Sequence, residues 1–266
     1  MSRSELFDIP QYRTSLQVSC TSQYTKMKVI CAGLSKTGTT SLASALRVLG
    51  FKVYDFPEHV DFHGNEWLAI YRGELTPDFA SMYEDVDAVT DLPAAFWYQE
   101  ILKAFPDAKI ILTVRDNDEV WVQSWVKHLQ IFRELDVFSR LVFAVTKPLG
   151  GELASITDYA VYGSRNPTAT SLFKKKYNAH NERVQAVIPS EKLLVYNVKQ
   201  GWRPLCQFLG IDIPSQGFPH ENVGGSAARS GMAKFCKEHK QNIMFAIFPI
   251  LLVLVGIIIV YSLYWN

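Results

Sequence analysis

The chain has 266 residues, 48% of them hydrophobic, with 27 Lys and Arg against 26 Asp and Glu. That length supports one sizeable globular domain, and a net charge of +1 excludes a long-range field for nucleic acid, so an anion must be caught by a local site. The four cysteines, Cys20, Cys31, Cys206 and Cys236, have neither C-x-x-C spacing nor a histidine at ligand spacing, which argues against a zinc site and a disulfide framework and for buried or idle thiols.

Residues 1–27 carry scattered Ser, Thr, Gln and charge without an apolar h-region, so they read as a flexible arm and not as a secretory signal. "KVICAG" (28–33) then has the short Val/Ile-rich pattern of a buried parallel strand. It runs into "GLSKTGTTSL", and "TSLASALRVLG" places Leu42, Leu46 and Leu49 at helical spacing before Gly50, a natural C-terminal cap. Further strands are predicted in "FKVYD", "DAVTD", "AKIILTVRD" and "KLLVYNV", separated by helical stretches such as "PAAFWYQEILKAF". A long helical region spans about 118–188, with Pro148, Gly150 and Gly151 marking a break, and "GWRPLCQFLG" reads as a short helix ended by Gly210. Strands separated by helix-length segments imply an α/β fold: a P-loop NTPase-like parallel sheet with helices on both faces.

The far end differs in kind. From Ile243 to Trp265 no charged residue occurs, and such a run is about the length a bilayer-spanning helix needs. Tyr261, Tyr264 and Trp265 suit an interfacial belt, and Lys234, Lys237 and Lys240 precede the run. These features predict a basic juxtamembrane linker (229–242) and a single-pass C-terminal anchor (243–265) in membrane lipid, with the main domain (28–228) facing the cytosol. Cys236 beside the bilayer is either an acylation site or an exposed thiol.

In an open α/β sheet, ligands bind beyond the carboxyl ends of the strands, where the first loop lies. Backbone N–H groups, a helix N-terminus and the hydroxyls of Ser35, Thr37, Thr39, Thr40 and Ser41 would form an anion cradle there. A triphosphate-binding loop carries its lysine directly after the second glycine. Here Thr39 follows Gly38, and the lysine stands earlier, at Lys36.

"KTGTTSL", "FPDAKIILTVRD", "VYNVKQGWRPLCQFLG" and "FPHEN" together resemble the P-loop sulfotransferases that use 3′-phosphoadenosine 5′-phosphosulfate, over about residues 28–222. The resemblance implies that this nucleotide is the donor, that the acceptor is a hydroxyl or amine, and that no metal is needed. A sulfuryl group in transfer carries less negative charge than a phosphoryl group, so one lysine and several backbone donors can suffice. Lys36 is expected at the bridging oxygen, where leaving-group charge develops, with Thr39, Thr40 and Ser41 on the 5′-phosphate. By the same resemblance Arg115 and Ser124 would bind the 3′-phosphate, although the step between them is one residue longer than is common in the family. A surface salt bridge to Asp116 or Asp118 is the other reading of Arg115.

Asp91, ending "DAVTD", is either the base that takes the acceptor's proton or the N-cap of a helix starting near Pro93. His59 and His63 are alternative bases or loop residues facing solvent. Tyr54, Phe56, Phe96, Trp97 and Tyr98 line an acceptor pocket or belong to the core, Trp202 is a candidate stacking partner for adenine, and Arg229 offers a second phosphate contact or lies in the linker. A nucleotide kinase or other NTPase, and an inactive tail-anchored nucleotide-binding scaffold, are the competing functions.

Overall fold

The computed structural model describes residues 27–134 and 148–220 and the isolated positions Gly256, Tyr261 and Ser262. Five parallel strands, β1 (Val29–Cys31), β2 (Val53–Tyr54), β3 (Ala88–Val89), β4 (Lys109–Thr113) and β5 (Leu193–Tyr196), form one sheet in the order β2-β3-β1-β4-β5. The predicted strands all form, each shorter than its apolar run, and the expected α/β architecture is present.

Successive strand residues point to opposite faces, and the sheet uses both. Ile30, Val89, Ile110 and Leu112 enter one core, shared with α2 (Phe56–Arg72), α3 (Phe79–Met82) and α4 (Tyr98–Ala104). Val29, Cys31, Ala88 and Ile111 enter the other, covered by α1 (Thr39–Val48) and α8 (Trp202–Leu209). A sheet buried on both faces has no polar stripe, which is why its strands read as continuous apolar runs. A third cluster unites Leu34 and Leu92 with Trp121, Trp125, Tyr162, Phe173 and Tyr177 from α5 (Asp118–Glu134), α6 (Pro148–Tyr162) and α7 (Thr170–Val187). A buried aromatic ring removes roughly 150–250 Å² from water, on the order of 4–6 kcal/mol of transfer free energy. The loop after β1 is thereby clamped by a well-packed lobe.

Several local expectations are revised. His59 and His63 do not sit in a loop. Helix α2 starts at Phe56, because Pro57 suits the first turn and Glu58 Oε2 accepts the Asp55 N–H at 2.9 Å. The helix expected from Pro93 begins at Tyr98; residues 92–97 form turns. Pro148 marks the expected break by opening α6, separate from α5, although Gly150 lies inside the new helix close to Val60, and the chain turns again at Gly163, with φ of 74°. Met27, placed with the arm, is already in the core. Gly210 ends α8 in the left-handed conformation as expected.

Cys31 and Cys206 are buried free thiols, and burial pushes Cys31 up to about 11. Residues 1–26, the juxtamembrane lysines, Cys20, Cys236, Arg229 and most of the 243–265 run lie outside the described residues. Among the described residues no helix is long and apolar enough to cross a membrane.

Candidate active site

The loop Gly33–Gly38 leaves β1 at the carboxyl rim of the sheet. Gly33 passes so close to β4 that a Cβ would lie 1.8 Å from Thr113 Oγ1 and 2.7 Å from Thr113 N, so only glycine fits. Gly38 has φ of 108°, and a Cβ there would meet Val198 at 2.8 Å. Lys36 also adopts a positive φ, 70°. A non-glycine residue in this region carries strain that surrounding contacts must hold.

Those contacts are to the loop's carbonyls. His180 Nε2 donates to Ala32 O at 2.7 Å, Thr37 Oγ1 to Leu34 O at 2.6 Å, Trp121 Nε1 to Ser35 O at 3.0 Å and Arg115 Nε to Lys36 O at 2.7 Å. In a trans peptide the N–H lies opposite the carbonyl. Holding the carbonyls of Leu34 and Ser35 against the scaffold therefore turns the N–H groups of Ser35 and Lys36 away from it, as an anion-binding nest requires. The first turn of α1 adds the N–H groups that a helix leaves without intrahelical partners. Thr40 is half-buried and Ser41 buried on that turn.

Two cations border the loop. Burial holds the Lys36 ammonium below its ordinary range, Asp91 acts in the opposite sense, and Arg115 lowers it further. Arg115 is lowered chiefly by burial. Neither residue forms an ion pair among the described residues. Asp116 is engaged by Lys199 and by Asn197 at 2.8 Å, and Asp118 by Asn178 at 3.0 Å, so the surface salt-bridge reading of Arg115 is absent from this structure. The Arg115 N–H donates to Tyr177 Oη at 3.2 Å, which fixes the strand end that carries the guanidinium.

Asp91 faces the loop from β3, the neighbour of β1. Its Oδ1 accepts from Ser35 Oγ and, at 2.8 Å, from the Leu92 N–H; Oδ2 accepts from Thr39 Oγ1 at 3.0 Å. The carboxylate thus serves the loop and does not cap α4, which starts at Tyr98. Its φ of 60° is a conformation that Asp tolerates better than most residues.

The remaining candidates fall in different surroundings. His59 is fully buried, and burial holds it down to about 3. Its Nε2–H donates to Thr90 O at 3.2 Å, so Nδ1 is the acceptor for Tyr83 Oη at 3.1 Å and no lone pair is left for an acceptor's proton. His63 is half-buried, with Nδ1 3.8 Å from Glu66 Oε1. Trp202 belongs to the core around α8; its ring packs on Phe218 and its Nε1 donates to Gln216 O at 2.8 Å. Ser124 is half-buried on α5. Tyr54 and Tyr98 are core residues, Phe56 and Trp97 pack at the core margin, and Phe96 is exposed.

Sequence reasoning missed His180, Trp121, Tyr177 and Thr113. Only Thr113, a hydroxyl ending an apolar strand two residues before Arg115, carries a local signal. It also missed Asp158 on α6, whose Oδ2 lies 3.1 Å from Arg165 Nε and which burial pushes up to about 7.

The structure thus brings together a parallel α/β sheet, a glycine-pinned loop at its rim, a lysine and an arginine that form no ion pair among the described residues, and a carboxylate facing the loop. Residues 28–227 match the sulfotransferase domain family, and the chain belongs to that family. It is also similar to the Ava biosynthesis cluster protein M of Aspergillus versicolor, at 32% identity over 239 residues, covering 81% of this chain and 88% of that one.

Proposed function

We propose that the protein transfers a sulfuryl group from 3′-phosphoadenosine 5′-phosphosulfate to a hydroxyl or amine of a small-molecule acceptor. The observation that carries this reading is the pair of cations without ion-pair partners among the described residues, Lys36 on the loop and Arg115 just past β4, beside a loop whose carbonyls are tied back at Ala32, Leu34, Ser35 and Lys36. In the proposed step the acceptor's oxygen or nitrogen attacks sulfur, the bond from sulfur to the bridging oxygen breaks, and 3′-phosphoadenosine 5′-phosphate leaves. Lys36 neutralises charge at the bridging oxygen, and Arg115 with Ser124 takes the 3′-phosphate. Arg suits that dianion through its fork of donors.

Asp91 takes the acceptor's proton. A carboxylate offers about four lone-pair sites, and Asp91 uses three of them on Ser35, Thr39 and Leu92, leaving one. A small-molecule acceptor accords with a relative named for a biosynthesis cluster. The 243–265 run anchors the domain to a membrane with the site in the cytosol.

Calorimetry of the full-length chain with 3′-phosphoadenosine 5′-phosphate tests the donor. Lys36→Ala and Arg115→Ala should each weaken binding at least tenfold, while Asp91→Asn should retain binding and lose transfer. Magnesium-dependent ATP binding without affinity for the 3′-phosphorylated nucleotide would replace this reading with an NTPase.

A further inference from the structure

Asp91 does not stand alone at the sheet rim. Strands β2 and β3 are adjacent and parallel, with Tyr54 beside Val89, so Asp55 and the pair Thr90–Asp91 leave the sheet at the same edge and level. Thr90 ties the two strand ends together: its N–H donates to Tyr54 O at 2.8 Å and its Oγ1 to Asp55 Oδ1 at 2.9 Å. Asp55 is 6% exposed and forms no ion pair among the described residues.

The groups around this pair come from every neighbouring element. Asp55 faces Asp91 just past β3, Arg47 from α1 and Glu58 from its own helix; Asp91 faces Lys36 on the loop, Cys31 on β1, and Asp158 and Tyr162 on α6. Arg47, a cation that acts on Asp55, is already held by Glu58 at 2.8 Å. Two neighbouring carboxylates, one buried without a cation of its own, do not both ionise readily.

We propose that Asp55 is a positioning residue for Asp91: in the resting protein the two carboxyl groups keep one proton, held on Asp55, which leaves Asp91 as the charged member that binds the loop hydroxyls and receives the acceptor's proton. This rests on the role of Asp91 in the proposed reaction. Burial first, and the charge of Asp91 second, push Asp55 up to about 7. Environments that separate the behaviour of two acids are how a site keeps one of them as a base. The pair also links donor binding to pH. An anionic donor meets one more negative charge above the Asp55 transition than below it, and by reciprocity donor binding strengthens the hold of Asp55 on its proton. Each unit of such a shift is a tenfold change in donor affinity.

Carboxyl-carbon NMR titration of the full-length protein in detergent tests the pairing without turnover. Asp55 should titrate near neutrality in the wild type and at least one unit lower in Asp91→Asn; an unchanged Asp55 transition would overturn the proposal. Asn at position 55 keeps an oxygen for Thr90 and is a favourable helix N-cap, so Asp55→Asn tests charge and not folding. Between pH 6 and 8, wild-type affinity for 3′-phosphoadenosine 5′-phosphate should fall about tenfold relative to Asp55→Asn; parallel curves would also overturn it. A protein that shows the coupled titration and binds no donor would leave the pairing standing and refute the proposed function. Donor binding with an uncoupled Asp55 would refute the pairing alone.

Discussion

Gly33→Ala puts a methyl group where the loop crosses β4. The new Cβ would lie 1.8 Å from Thr113 Oγ1, 2.8 Å from Thr113 Cβ and 2.7 Å from the backbone N, and that strand is buried on both faces. Overpacking of this kind costs about 1–3 kcal/mol. Moving the Thr113 hydroxyl also breaks its 2.5 Å contact with Thr37 Oγ1, which adds about 1–3 kcal/mol for the buried groups left unpaired. The total, about 4 kcal/mol, is a large fraction of a typical stability of about 5–15 kcal/mol. Urea unfolding of the full-length protein, the single variants and Gly33→Ala/Thr113→Ala would measure it. The double variant should be less destabilised than the sum of the two singles by at least about 1 kcal/mol, because the hydroxyl clash is relieved while the clash with Thr113 N remains. Strict additivity, or a Gly33→Ala protein within about 1 kcal/mol of wild type, would refute the claim that Thr113 dictates glycine at this position.

Stability against pH gives a second check. Asp55 and Asp158 are pushed up to about 7 by burial, so each penalises the folded state progressively as pH rises from about 4 to 7. His59 and His128 are held down to about 3, again by burial, so the stability each contributes is present above pH ~6.5 and is lost as pH falls toward 3. Between pH ~4 and ~6.5 the folded chain holds two carboxyl protons and the unfolded chain two imidazole protons, and the slopes cancel. Wild-type stability from these groups should be flat there, whereas Asp55→Asn should gain about 1.4 kcal/mol per pH unit; parallel denaturation curves would contradict the assignment. The proposed membrane anchor has a third expected outcome: protease added to intact membranes carrying the full-length chain should degrade the 28–220 domain. Protection of that domain would place it in a lumen and exclude the cytosolic orientation.

Much of the site was legible because parallel strands end at one rim. "KVICAG", "DAVTD" and "AKIILTVRD" carry Lys36, Asp91 and Arg115 at or just beyond their carboxyl ends, and a parallel sheet brings those ends together. The groups that hold the loop carbonyls were not legible. Trp121 lies 86 residues from Ser35 and His180 lies 148 from Ala32, each on a helix whose periodicity reports burial and says nothing of which carbonyl its ring nitrogen meets. Trp202 misled for a related reason, since an aromatic ring near a nucleotide motif reads alike as a stacking partner or as core. The solvent-facing reading of His59 failed because its surroundings were taken as loop; once Pro57 and Glu58 start a helix there, residue 59 turns inward against Tyr83 and Thr90.

The amino-acid order by itself determined the alternation of strand, loop and helix, the glycines at 33 and 38, and the lysine displaced to position 36, because these are local demands of backbone conformation and apolar periodicity. Only the tertiary structure decided that Arg115 holds a loop carbonyl instead of a surface carboxylate, that Asp91 serves the loop and not a helix, and that Asp55 is buried at the same rim. Those outcomes depend on which strand neighbours which, and strand order β2-β3-β1-β4-β5 is a property of packing over the whole chain that no single segment contains.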